Sequence, residues 1–104
     1  MITEQLESIH HIAISVRDIS VALDWYLHNF QCKVEYQDSS WALLKFRNIR
    51  LALVLPDMHP PHLAFIRNNL DSHDKKLKHR DDSISIYMKD PDGNYIELIE
   101  KKSL

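Results

Sequence analysis

Two stretches of this 104-residue chain carry the same short pattern. His11-Ile12-Ala13-Ile14 and His62-Leu63-Ala64-Phe65 both read histidine, apolar, alanine, apolar. Two later stretches match as well: Asn48-Ile49-Arg50-Leu51-Ala52-Leu53 and Gly93-Asn94-Tyr95-Ile96-Glu97-Leu98, each a turn residue feeding a final strand. In this register Glu97 falls where the first half carries Ala52. His11 and Ala52 are 41 residues apart and His62 and Glu97 are 35 apart, so the second half is the shorter one. Self-matches this short arise by chance. The repeat therefore gains its weight from what sits at the matched positions.

The remaining sequence fills in two modules. Ser8 to Val16 is rich in β-branched and small residues and reads as a strand. Alternation puts His10, Ile12, Ile14 and Val16 on one face, suited to a helix, and Ile9, His11, Ala13 and Ser15 on the other. A helix is predicted at Ile19 to Asn29 with Asp18 or Ser20 as N-cap. Its expected buried stripe is Ile19, Leu23, Tyr26, Leu27 and Phe30, with Trp25 also placed on the packing face. Strands are predicted at Cys32 to Gln37, Trp41 to Arg47 and Ile49 to Leu55. A proline-bounded linker at 57–61 follows, since two prolines cannot continue a strand ladder. Module one thus spans about 8–56 and module two about 62–101 of a single domain. In module two, His62 to Ile66 reads as a strand, Asp71 to Arg80 as a polar helix, and Ser83 to Lys89 as a strand with Ile84, Ile86 and Met88 on one face. Asp90-Pro91-Asp92-Gly93 is a turn into a last strand, Asn94 to Glu100.

Composition narrows the classes of function. With 44% hydrophobic residues the chain can pack a core. No apolar run approaches the ~18 residues of a membrane span, and MITEQLES lacks the features of a secretory leader. A net charge of −2 argues against nucleic acid as a partner. One cysteine, Cys32, excludes an internal disulfide and fits a reducing compartment, so the expected location is cytoplasmic. Cys32 itself reads as a small buried apolar group.

The chemistry concentrates at three positions. His11 and His62 each sit beside small residues on a strand face, which leaves open space around the imidazole. Glu97 lies mid-strand among Tyr95, Ile96, Leu98 and Ile99, where a carboxylate is costly to bury without positive charge nearby. Two histidines and a carboxylate on rigid strands match the ligand set of non-haem Fe(II) sites, and the same set suits Zn, Ni or Mn. Taken singly, each residue has a plainer reading, a hydrogen-bonded histidine or a solvated glutamate. The remaining histidines lack comparable support: His10 falls on the apolar face, His28 ends a helix, His59 is in the linker, and His73 and His79 lie in a charged run. Tyr95, on Glu97's face by alternation, and Arg50, two residues before Ala52, are weaker candidates for proton transfer or for meeting an anionic substrate.

Both ends of the chain resemble one family. His11-Ile12-Ala13-Ile14-Ser15-Val16-Arg17-Asp18 with Ala22 and Trp25-Tyr26, and then Asp90-Pro91-Asp92-Gly93-Asn94-Tyr95-Ile96-Glu97-Leu98, are similar to the opening and ending of vicinal oxygen chelate proteins. That superfamily includes glyoxalase I, bleomycin-resistance proteins, fosfomycin-resistance transferases, extradiol dioxygenases and methylmalonyl-CoA epimerase. The resemblance implies an α+β fold of paired βαβββ modules forming a curved, half-open sheet cup, here with a truncated second module that lacks one strand. It implies a divalent metal held by His11, His62 and Glu97 that binds a small oxygenated substrate, in a chain that forms a homodimer. A partner chain would then close the cup or share the site. The fourth ligand of glyoxalase I-like members falls at Ala52, which speaks against glyoxalase I activity itself. The expected reaction is of lyase, isomerase or dioxygenase type. The alternatives are metal-free sequestration of a small molecule, as in bleomycin-resistance proteins, and a structural remnant with no pocket.

Overall fold

The computed structural model describes residues 6–70, 76–79 and 83–104. They form strand β1 (Ser8–Ser15), helix α1 (Ile19–Asn29), and strands β2 (Lys33–Gln37), β3 (Trp41–Lys45), β4 (Arg50–Val54), β5 (His62–Arg67), β6 (Leu77–Lys78), β7 (Ile84–Lys89) and β8 (Tyr95–Glu100). A 3₁₀ turn, Lys101–Ser103, follows. No helix among the described residues is long and apolar enough to cross a membrane.

All eight strands join one curled sheet in the order β2-β3-β4-β1-β5-β8-β7-β6. The order is palindromic. The first strands of the two halves, β1 and β5, meet antiparallel at the centre, and each pairs in parallel with the last strand of its own half, β4 or β8. An approximate two-fold axis therefore runs between β1 and β5 and exchanges His11 with His62. Ala13 pairs with Ala52, and Ala64 pairs with Glu97, so the axis also exchanges Ala52 with Glu97. This is an α+β cup.

Helix α1 begins where expected: Asp18 is extended (φ −145°) and its carboxylate accepts from the Val21 amide at 3.0 Å. Its buried face is narrower than the predicted stripe. Ile19 and Leu23 pack with Ala42, Leu44 and Leu53 of the sheet, and Tyr26 is half-buried against them, but Leu27, Phe30 and Trp25 are largely exposed. A short helix resting on a strongly curved sheet touches it along a line. The flanking aromatics instead pack on one another, Trp25 edge-on to Tyr26 at 5.0 Å and Tyr26 stacked on Phe30 at 6.0 Å.

Module two departs from expectation more than module one. Leu77–Lys78 is a strand paired with β7, not part of a helix reaching Arg80; residues 71–75 and 80–82 lie outside the described residues. The strand expected to be missing is thus present, cut to two residues. The shortening falls mainly on the connection between first and second strands, residues 68–76 against residues 16–32 in module one. Leu70, fully buried with Phe65, Ile86, Ile96 and Leu98, covers part of the outer face of module two. Its amide donates to the buried Glu100 carboxylate at 3.0 Å.

Two Asx-type turns aim strands that matter later. Asp38 Oδ1 accepts from the Ser40 and Trp41 amides, and its Oδ2 accepts from the Tyr36 hydroxyl at 2.6 Å, which sets Tyr36 stacked on Trp41 at 4.3 Å. Asp90 Oδ1 accepts from the Asp92 and Asn94 amides. Gly93 takes φ 87°, a conformation that side chains resist, and delivers the chain into β8.

Candidate metal centre

The inner face of the cup brings His11, His62 and Glu97 to one point. Strand pairing explains how. Across one level of the sheet the neighbours are Arg50, His11, Ala64, Glu97 and Tyr87; at the adjacent level they are Leu43, Ala52, Ala13, His62 and Tyr95. The two histidines lie diagonally across the central strand pair, and Ala13 and Ala64 leave the space into which their rings turn. His62 Nε2 is 2.9 Å from Glu97 Oε1, His11 Nε2 is 3.2 Å from the same oxygen, and the two Nε2 atoms are 3.1 Å apart. All three side chains are buried.

The proton inventory of this cluster is informative. His62 Nδ1 lies 2.8 Å from the Pro60 carbonyl, which only accepts, so Nδ1 carries the ring proton and donates it. In the neutral ring Nε2 is then bare, and it points at a carboxylate oxygen. Two lone-pair atoms at that distance repel unless positive charge lies between them, either a proton or a metal ion. A spacing of 2.9–3.2 Å accommodates either one. An ion bound at about 2.0–2.2 Å to nitrogen and oxygen places neighbouring ligands about 3 Å apart when they share one face of an octahedron. Ligand types and spacing both fit a divalent cation of the kind served by two histidines and one carboxylate.

Other polar side chains surround the three. His79 Nε2 is 3.2 Å from Glu97 Oε2 and 2.6 Å from Ser85 Oγ. Tyr87 is bonded to Glu97 and stands edge-on to His62 at 5.3 Å. Burial alone would raise the Glu97 carboxyl. Hydrogen bonds from His11, His62 and His79 outweigh it and hold the group ionised, well below the ordinary carboxylate range. The Tyr87 phenol is pushed up, first by burial and then by the Glu97 charge and hydrogen bond, so it stays an O–H donor. Among the described residues no buried side-chain polar atom is without a partner.

His10 is misplaced by simple alternation. A β-bulge in the β1–β5 pairing sets Ile9 opposite Phe65 and His11 opposite Ala64, leaving His10 as the extra residue. Both histidines therefore face the cup. His10 Nδ1 is 2.8 Å from His11 Nδ1, and burial, followed by the charges of His11 and Arg50, pushes its pKa down to about 4. The doublet His10-His11 was the available signal, since two neighbouring histidines can share a face only at a bulge. His79 and Tyr87 were legible only in retrospect: Tyr87 alternates with Ile86 and Met88, whereas His79 sat in a stretch read as helix.

The weaker candidates fall at the margin. Tyr95 packs beneath Lys89, whose Nζ is 5.0 Å from the ring centre, and Tyr87 takes the tyrosine place beside Glu97. Arg50 forms an ion pair with Glu35 at the wall of an adjoining groove of about 220 Å³. Of the other histidines, His59 joins the cavity lining, His28 is exposed and bonds the Asp24 carbonyl, and His73 lies outside the described residues. The free space beside the three central residues is about 40 Å³. That holds an ion and two or three waters, so any larger part of a ligand extends into the adjoining groove. Trp41, Leu43, Ala52 and Val54 form the opposite, apolar wall.

No family model matches the sequence, and no curated protein sequence matches it. Solved structures do match the fold. Methylmalonyl-CoA epimerase from Mycobacterium tuberculosis superposes with a TM-score of 0.73 at 21% identity, covering 96% of this chain and 92% of that one. A Streptomyces coelicolor methylmalonyl-CoA epimerase variant in complex with 2-nitronate-propionyl-CoA gives 0.76 at 16% identity, covering 96% and 98%. A hypothetical protein from Bacillus halodurans gives 0.75 at 14% identity, covering 96% and 98%.

Proposed function

From the premise that this chain has the vicinal oxygen chelate fold, we propose that it is a metal-dependent enzyme whose divalent ion is held by His11, His62 and Glu97. The observation that carries the reading is the convergence of His62 Nε2, His11 Nε2 and an ionised Glu97 oxygen within 3.2 Å of one another in a buried cup. When bound, the ion would accept two neighbouring oxygens of a small substrate and stabilise the negative charge that develops on them.

The chain's own groups supply the rest. His79 holds Glu97 through Oε2 and Tyr87 bonds the same carboxylate, while Oε1 faces both central histidines. The apolar wall of Trp41, Leu43, Ala52 and Val54 lowers the local dielectric, which strengthens each charge interaction in the cavity. Similarity to epimerases favours an isomerase-type reaction, proton removal next to a carbonyl, over lyase or dioxygenase chemistry. The test is metal-dependent exchange of the α-hydrogen of a 2-methylmalonyl thioester in D₂O, followed by NMR. Exchange that needs the divalent ion and disappears in Glu97→Gln is the expected result. A protein that binds metal but exchanges nothing would remove the isomerase assignment and leave the metal site standing.

One feature favours a second reading. The Tyr36–Trp41 stack and the apolar wall would also accept a flat apolar molecule without metal. Binding of such a ligand that survives unchanged in metal-free Glu97→Gln would support sequestration instead.

A further inference from the structure

We infer that His10 is a positioning residue for the metal centre, acting through His11; the inference rests on the proposed metal site. Each of the three central side chains has a partner on its far side: Pro60 carbonyl for His62, His79 for Glu97, and His10 for His11. The His10 contact differs from the other two because either ring is able to donate. His10 Nδ1 and His11 Nδ1 lie 2.8 Å apart with their rings crossed at 77°, and one proton lies between them. If it sits on His10, then neutral His11 keeps its proton on Nε2 and aims it at Glu97 Oε1. If it sits on His11, then His11 Nε2 is bare and ready to bind a cation, and His10 carries its own proton on Nε2. Both arrangements hold the same number of protons on two neutral rings; passing from the first to the second moves the shared proton to His11 Nδ1, releases the His11 Nε2 proton to solvent and takes one from solvent onto His10 Nε2.

The bulge makes this possible. Without the extra residue, His10 would face outward with Ile12 and Ile14, and His11 Nδ1 would meet no imidazole. A buried acceptor against Nδ1 fixes both the ring rotation and the tautomer of a ligating histidine, and loss of such a partner weakens metal affinity by about 10- to 100-fold. His10, like His11 less than a tenth exposed, provides that acceptor from the same strand.

The experiment compares divalent-metal binding by the apoprotein and three variants, using Co²⁺ titration followed calorimetrically and by its visible spectrum. In His10→Asn the side-chain oxygen takes the place of Nδ1 and still accepts, so affinity stays within about threefold of the parent. His10→Leu and His10→Gln lack an acceptor at that place and lose about 10- to 100-fold, with an altered Co²⁺ spectrum; the glutamine variant serves if leucine at a cup position prevents folding. Parent-like affinity in His10→Gln, or a loss in His10→Asn equal to that in His10→Gln, overturns the role given to His10. A parent protein that binds no Co²⁺ overturns instead the metal reading on which it rests.

Discussion

The two halves of the cup share one backbone plan and divide its contents sharply. Pairing relates Trp41, Leu43, Ala52 and Val54 of module one to Ser85, Tyr87, Glu97 and Ile99 of module two. Three of these four pairs change from apolar to polar, while the central histidines are the same in both. Among the described residues, module one has the helix and the larger apolar core, and module two has a two-residue β6 and a buried carboxylate ringed by histidines. One half is an apolar wall and the other carries the polar cluster around Glu97. The backbone symmetry supplies two histidines facing one cavity, and departure from symmetry in the side chains makes them a site with a single carboxylate.

That contrast can be broken by making module one resemble module two. Ala52→Glu puts a carboxylate at the position related to Glu97, but with Leu43 and Trp41 where Glu97 has Tyr87 and Ser85. Overpacking and a second buried carboxylate in the cavity with Glu97 together cost about 3 kcal/mol, measured by urea unfolding of the metal-free protein; a neutral result would mean the wall tolerates a buried charge. A second change removes one of the two histidines the halves share. His62→Ala lowers divalent-metal affinity by at least about 100-fold, beyond the range expected for an outer partner, while leaving helix α1 and its cluster intact by circular dichroism.

Smaller effects sharpen the role of the turn that aims β8. Gly93→Ala, which forces a side chain into φ 87°, costs about 1–2 kcal/mol in thermal unfolding. Open space around Gly93 means the cost is conformational and not a clash. Asp90, whose carboxyl is held below its ordinary value first by the Asn94 hydrogen bonds, contributes stability above the unfolded value of 3.8 and loses it as pH falls through the lower folded value. The stability difference between the parent and Asp90→Ala is therefore larger at neutral pH than in acid.

Much of this was visible in the residues themselves. The repeated His-apolar-Ala-apolar segments are the two strands that meet at the pseudo-two-fold, and the Asp90–Gly93 turn leads into the strand bearing Glu97, because strand alternation and turn chemistry are local rules. Helix α1 and its Asp18 cap were legible for the same reason. Failures came where non-local pairing overrides local pattern. The bulge at His10 depends on how β1 meets β5, which no single strand announces. Lys78 and Leu77 pair with β7 although their charged surroundings resemble a solvated helix. Tyr95 shares alternation with Glu97, yet Tyr87, one strand over, is the tyrosine that reaches it. Leu27 and Phe30 have helical spacing, but sheet curvature withdraws the surface they would cover.

The proposed metal centre is one divalent ion per cup on His11, His62 and Glu97. Metal analysis of protein purified without chelator, alongside Glu97→Gln, tests it most directly. One equivalent of divalent metal per chain in the parent and none in the variant is the predicted result; a metal-free parent that takes up no divalent ion on titration, or equal occupancy in both proteins, would contradict it.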